Sequence, residues 1–289
     1  MNDPRATHRR ETLVSAHRGG VGHARHLSNT LEGLRFACST GAAFVEFDVQ
    51  RLRDGALVLF HDDRVRLRGA RVPVGSLTLP ELQAGAPVVR YEEALALLAE
   101  HGKGAHVDLK FHTDDGSVEV ELARAAADVL GAEHVIVTTG HDATVAAVRA
   151  WSREQHPELL VGLTIGRLPA GRLLRRRPGL LEPLVRRLLA CDANLAVVHQ
   201  TTARLGLARE VHRLGLPLLV WTVDRPRQLA YWLQPGRAWM VTTNRPDRAS
   251  ERLRARSRTR AAEGSRRRPP ETMDGRSRSG AAEARPPEG

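Results

Sequence analysis

Between Thr12 and Thr243 the chain repeats one unit eight times: a short run of apolar, often β-branched residues, then a longer stretch with helical spacing. The runs are TLVSA (12–16), AFVEFDV (43–49), AHVDL (105–109), HVIVTT (134–139), LLVGLTI (159–165), LAVVHQ (195–200), PLLVWTV (217–223) and AWMVTT (238–243). Between them lie amphipathic segments such as TLEGLRFACSTG, YEEALALLAEHG, VEVELARAAADVLG and LAREVHRLG, several closing on a glycine suited to a helix C-terminus. Strands that are apolar throughout belong in a parallel sheet covered by helices. Eight of them, each followed by a helix, predict an α/β fold of the (β/α)8 TIM-barrel type. An open doubly wound sheet is the rival, but no G-x-G-x-x-G follows the first strand.

In such a barrel a functional site belongs at the carboxyl ends of the strands. The chain's unusual polar residues fall there. His17 and Arg18 follow the first strand, Glu46 and Asp48 end the second, and Asp108 and Lys110 end the third. Trp221 and Asp224 bracket the end of the seventh, and Asn244 and Arg245 follow the eighth. Residues i and i+2 of a strand share a face roughly 6.5 Å apart, so Glu46 with Asp48 and Asp108 with Lys110 are two same-face pairs. Three carboxylates at one mouth repel one another unless a cation sits among them. An oxygen-only donor set, without cysteine or H-x-x-x-H spacing, favours Mg²⁺ or Ca²⁺ over zinc.

His17 and His61 can supply a general acid and a general base near neutral pH. Arg18, beside His17, carries the guanidinium that fits phosphate oxygens in two-pronged fashion. Lys110 is one of only two lysines in a chain otherwise basic through arginine, which suits a place needing a compact ammonium. Together these residues point to phosphoester cleavage.

The ordered series HRG (17–19), NT (29–30), EFDV (46–49), DG (54–55) and HD (61–62) resembles the glycerophosphodiester phosphodiesterase family, a family of metal-dependent TIM barrels. DLK (108–110), VWTVD (220–224) and TTNRP (242–246) resemble its later motifs, so the likeness covers about residues 12–248. It implies hydrolysis of glycerophosphodiesters to glycerol 3-phosphate and an alcohol. It also implies that His17 and His61 are the acid/base pair and that Glu46, Asp48 and Asp108 hold the metal. Arg18 and Lys110 then grip the phosphate, with Asn29 and Trp221 on the substrate side. Lysophospholipase D-type cleavage of lysolipids and a non-catalytic phosphodiester-binding barrel are the alternatives. The chain departs from the family pattern at Ser28 in place of a glutamate, at Asp108 in place of another, and at Asn244 in place of an aspartate. With both histidines present, an active enzyme of altered metal affinity or substrate range is expected.

Charge and composition bound the remainder. The net charge of +11 suggests nucleic acid until it is located. Residues 251–289 hold eleven arginines against six acidic residues, with almost no large apolar side chain, and predict a disordered basic tail over 249–289. No aromatic is interleaved with its arginines, so specific nucleic-acid binding is not expected. Residues 1–11 are expected to be a flexible N-terminus. The stretch GRLPAGRLLRRRPGLLEPLVRRLLA (166–190) mixes leucine with arginine. It predicts the outer helix of the fifth βα unit and, as a functional alternative, weak docking on an anionic membrane. No apolar run approaches the length of a membrane span and no apolar segment follows the basic N-terminus, so a cytoplasmic location is expected. Cys38 and Cys191 fit no metal-ligand spacing and are expected to be free thiols.

Overall fold

The computed structural model describes residues 11–22, 24–85, 87–168, 179 and 181–266, with side chains described as far as residue 259. Eight parallel strands close into a barrel: β1 (Leu13–Ala16), β2 (Phe44–Arg51), β6 (Gly104–Leu109), β7 (Val135–Thr139), β8 (Leu160–Ile165), β9 (Leu195–His199), β10 (Leu218–Trp221) and β11 (Met240–Thr243). Each pairs with its neighbour in that order, and β1 joins both β2 and β11, which closes the sheet. All eight apolar runs of the sequence are therefore barrel strands. Helices α1 (Leu31–Ser39), α3 (Tyr91–Glu100), α4 (Ser117–Leu130) and α5 (Asp142–Gln155) follow β1, β2, β6 and β7, and the helices Glu182–Ala190, Ala208–Arg213, Pro226–Trp232 and Pro246–Arg266 follow β8 to β11. No helix among the described residues is long and apolar enough to cross a membrane.

Period-two alternation along the strands sorts side chains into two sets. Val45, Phe47, Val49, Val107, Leu109 and Val137 point outward and pack under the helices in one buried cluster. Phe44, Ile136, Leu195, Val197, Leu219 and Met240 form a separate buried cluster inside the barrel. Phe44 pairs in register with Gly104. A Cβ on Gly104 would lie 2.5 Å from the Phe44 ring, so only glycine lets that ring fill the interior. Further along the same inward faces the residues become polar: Ser15, Glu46, Asp48, His106, Asp108, Thr138 and Thr242 are nearly all buried. The barrel thus has an apolar plug below and a polar layer above it.

Two features depart from the sequence expectation. The first lies between β2 and α3. Glu46 and Asp48 do not end their strand, because β3 (Leu57–Leu59) pairs antiparallel with Val49–Arg51 and prolongs it. A hairpin of β4 (Arg64–Leu67) and β5 (Ala70–Pro73) follows, then α2 (Leu79–Gln83). Arg68 and Gly69 both have positive φ at its tip, which gives the two-residue turn that suits strand twist. Leu52, Val58, Val74, Leu77 and Leu82 form a small core for this insertion.

The second concerns the C-terminus. The helix Pro246–Arg266 runs through residues expected to be a disordered tail from 249 onward. Ala249 is fully buried and Leu253 packs four residues later against the barrel core, so the compact unit ends at Leu253. Beyond it the chain has the alanine, arginine and glutamate content that favours helix without needing burial, a preference a hydrophobicity argument overlooks. The rest of the expected tail, 267–289, and residues 1–10 lie outside the described residues. So do residues 169–178 and 180 of the leucine–arginine stretch; its described part, Glu182–Ala190, is the expected outer helix, with Leu188 buried and Arg187 paired to Asp142 at 2.6 Å.

Candidate active site

The loop after β1 supplies the first residues. Arg18 adopts a left-handed backbone (φ 52°, ψ 39°), as does Asn29 (φ 59°), a conformation uncommon outside glycine. In that geometry the Arg18 backbone N–H donates to Glu46 Oε2 at 2.7 Å while its Nε lies 2.8 Å from Asp48 Oδ2. Asn29 is buried. Its Nδ2 donates to Asp48 Oδ2 at 2.8 Å and its Oδ1 accepts from the Asp48 backbone N–H at 3.2 Å. Asn29, expected on the substrate side, therefore stands behind Asp48 as its holder and does not line the cavity.

In the β2–β6 register Asp48 is opposite Asp108, and Glu46 is opposite His106. Glu46, Asp48 and Asp108 each offer an oxygen within 4.8 Å of the others, a spacing that oxygen-liganded divalent cations can bridge. Lys110 Nζ contacts Asp48 Oδ1 at 2.9 Å and makes a short contact with Asp108 Oδ2. Burial, then the neighbouring Asp48 and Asp108, drive the Glu46 carboxyl well above its usual range. Burial likewise raises Asp108 against the opposing pull of Lys110. For Asp48 burial works in the same direction, but Lys110, Arg18 and the Asn29 hydrogen bond outweigh it and hold that carboxyl below the usual range. The protein's own cations thus balance fewer than three carboxylates. The donor set fits a hard divalent cation, with Glu46 the ligand whose ionisation depends on it most.

His17 and His61 open on the same cavity of about 130 Å³, together with Arg18, Lys110, the three carboxylates and Trp221. Burial, reinforced by Arg18, lowers the His17 pKa to about 4, so the ring is neutral at physiological pH. Its Nδ1 lies 2.9 Å from Asn244 Oδ1. Asn244 is held in turn by Asp224, which accepts from the Asn244 side chain and backbone, both at 2.8 Å. His61 comes from the insertion, between β3 and β4, and its Nδ1 is 2.6 Å from Asp62 Oδ1. It is 43 % exposed, against 15 % for His17. Trp221 packs edge-on against His199 at 5.5 Å, and its buried indole N–H has no hydrogen-bond partner among the described residues.

One part of the site carried no recognised motif. His106 is buried inside the barrel, its Nδ1 3.1 Å from Ser15 Oγ and its Nε2 3.2 Å from Thr138 Oγ1. Thr138 donates to Asp108 Oδ1 at 2.7 Å, so it receives the proton of His106 Nε2, and Ser15 donates to Nδ1. This oriented chain ends on a carboxylate of the candidate metal set. Burial lowers His106 to about 3, consistent with its neutral role. The signal in sequence was the two-residue spacing from Asp108, which places both on the inner face.

Comparison with known proteins gives a consistent family. Residues 17–248 match the glycerophosphoryl diester phosphodiesterase family. The chain is similar to YhdW of Bacillus subtilis, 27 % identical over 246 residues that cover 81 % of this chain and 95 % of that one. It is also similar to a glycerophosphodiester phosphodiesterase of Caldanaerobacter subterraneus, 24 % identical over 252 residues covering 80 % and 94 %. Among solved structures, an Oleispira antarctica phosphodiesterase in complex with its product sn-glycerol-3-phosphate superposes with a TM-score of 0.62 at 22 % identity, covering 83 % of this chain and 96 % of that one.

Proposed function

This chain belongs to the glycerophosphoryl diester phosphodiesterase family, and on that premise we propose that it hydrolyses glycerophosphodiesters to glycerol 3-phosphate and an alcohol by metal-dependent acid/base catalysis. The observation that carries the proposal is the meeting of His17, His61, Glu46, Asp48, Asp108, Arg18 and Lys110 on one cavity at the carboxyl end of the barrel.

Glu46, Asp48 and Asp108 would hold Mg²⁺ or Ca²⁺, which supplies neutralisation of the phosphodiester oxygens when bound. Arg18 and Lys110, both partly exposed to the cavity, place further positive charge beside the phosphate. The roles of the histidines follow from their partners. Asp224 as a carboxylate only accepts, so the Asn244 amide nitrogen faces it and the Asn244 oxygen faces His17. His17 Nδ1 must then carry its proton, which leaves Nε2 as a bare base. His17 therefore takes the proton from the attacking oxygen. His61 is oriented by the Asp62 carboxylate, 2.6 Å from its Nδ1, and it protonates the departing alcohol. Trp221 offers its unpartnered N–H to a substrate oxygen. Cytoplasmic residence belongs to the same proposal and is supported by two buried free thiols, Cys38 and Cys191.

The test is release of glycerol 3-phosphate from glycerophosphocholine and glycerophosphoethanolamine, with Mg²⁺ or Ca²⁺ and with excess EDTA. Release abolished by EDTA, and reduced at least a hundredfold in both His17→Ala and His61→Ala, is the expected result. Turnover that survives EDTA overturns the metal dependence. No release with either ion, and none from lysolipids or with anionic vesicles present, overturns the activity.

A further inference from the structure

A second and larger cavity, of about 620 Å³, lies outside the barrel between the helices that follow β9 and β10. It shares no residue with the catalytic cavity. His212 and Arg213 lead toward β10, and the Pro235–Arg237 turn leads into β11, so this wall is toward the face where the strands begin. The catalytic groups cluster where the strands end.

The wall is cationic and built on an aromatic. Arg209, His212 and Arg213 stand at i, i+3 and i+4 on the helix Ala208–Arg213 and so share one face. Arg204 and Arg237 both pack on the Tyr231 ring, at 4.8 and 4.4 Å from its centroid, and Arg237 also donates to Tyr231 Oη at 2.8 Å. These contacts orient two long side chains that would otherwise be free to move. None of the described lining residues is acidic. Arg213 pairs with Glu210, whereas Arg204, Arg209 and Arg237 have no carboxylate partner among the described residues. Like charges gathered in a concave wall repel, and an anion relieves that repulsion.

The backbone is also shaped here. Ala203–Leu207 is a π-type turn broken by a kink at Gly206, whose φ of 124° is non-helical and which lies on the cavity wall. Single π turns that interrupt helices are frequent at functional sites. The positive φ favours glycine, and a Cβ there would meet the Leu181 Cδ1 methyl at 3.2 Å, a contact that side chain would have to relieve by a small shift. The buried indole N–H of Trp232, another wall residue, has no hydrogen-bond partner among the described residues.

We propose that this cavity is a second anion site, which takes a phosphate group carried either by a small solute or by a lipid head group. Guanidinium groups held in place by a ring suit a multidentate oxyanion better than a point charge. The site is independent of the reaction proposed above.

Inorganic phosphate is titrated calorimetrically into the full-length protein in EDTA, and vesicles of phosphatidylcholine with phosphatidylglycerol are co-sedimented with it. Both are repeated with Arg209→Glu combined with Arg237→Ala, and with Arg204→Ala alone should the double variant fail to fold. Glycerophosphodiester hydrolysis serves as the control for folding and is expected to be unchanged. At least tenfold weaker phosphate binding in the variants assigns the site to a soluble phosphate. Weaker vesicle binding with phosphate binding unaltered assigns it to a lipid head group. Isotherms and sedimentation that superpose on those of the unmodified protein overturn the proposal.

Discussion

Asp48 and Asp108 stand opposite each other at one register position of the β2–β6 pairing, and the Lys110 ammonium contacts both carboxylates. Two acids brought to one rung by parallel pairing cannot both be charged without a cation. Here a residue two positions beyond Asp108 supplies one. The arrangement makes the state of the carboxylates depend on Lys110 as well as on any bound ion.

Replacing Lys110 by Met therefore removes a positive charge from beside the nearly inaccessible Asp48. Losing one partner of a buried pair is strongly destabilising, and the partial exposure of Lys110 moderates the loss to about 2 kcal/mol. Thermal unfolding in EDTA should show a Tm several degrees lower than that of the unmodified protein. Added Mg²⁺ or Ca²⁺ should recover part of the difference. A Tm unchanged in EDTA would show that Lys110 contributes nothing to the resting site.

Asn244→Ala should lower kcat by about a hundredfold, the lower range for a general base that has lost its orientation. KM should change little, since Asn244 reaches the reaction only through His17. Asn244→Asp places a second carboxylate beside Asp224, so it should also impair turnover, but with a pH profile shifted toward a more basic His17. Equal kcat for Asn244→Ala and the unmodified protein removes the tautomer argument.

Trp221→Phe keeps an aromatic against His199 and removes the unpartnered indole N–H. One lost hydrogen bond of about 1 kcal/mol predicts a fivefold rise in KM for glycerophosphocholine with kcat within a factor of two. Steady-state kinetics decide it, and an unaltered KM would leave Trp221 as a packing residue.

His106 links stability to pH. Burial holds its folded pKa at about 3, below the ordinary 6.5, so the folded protein keeps it neutral where the unfolded chain protonates it. The stability this gives is fully present above about pH 6.5 and falls as the pH drops through the window toward 3. His106→Gln should flatten that acid dependence by up to ~1.4 kcal/mol per pH unit, measured by urea unfolding at pH 7, 6 and 5. Identical slopes in the two proteins contradict a buried neutral His106.

The barrel and most of the cavity were legible because both follow from period-two alternation. The apolar runs marked all eight barrel strands, and their polar ends marked His17, Glu46, Asp48, Asp108 and Lys110. The insertion after β2 was not legible: RVRL and ARVP are too short and too basic to stand out as strands, and their small core of Leu52, Val74 and Leu82 is assembled across distant positions. The hold of Asn29 on Asp48 was not legible, because a motif gives a residue's position but not which way its amide turns. His106 sat two residues from a recognised acid, yet a buried histidine announces itself only through Ser15 and Thr138 from other strands.

The two histidines rest on unlike foundations. His17 and the three carboxylates hang on barrel strands or directly on a strand end, where a one-residue slip in β2 would send Glu46 and Asp48 under the helices and bring Val45 and Phe47 into the cavity. His61 is carried by an appended hairpin segment whose length is not tied to the closure of the sheet. Half of the proposed acid/base pair can therefore be repositioned by lengthening or trimming a loop, while the proposed metal cradle can be altered only by substitution in place.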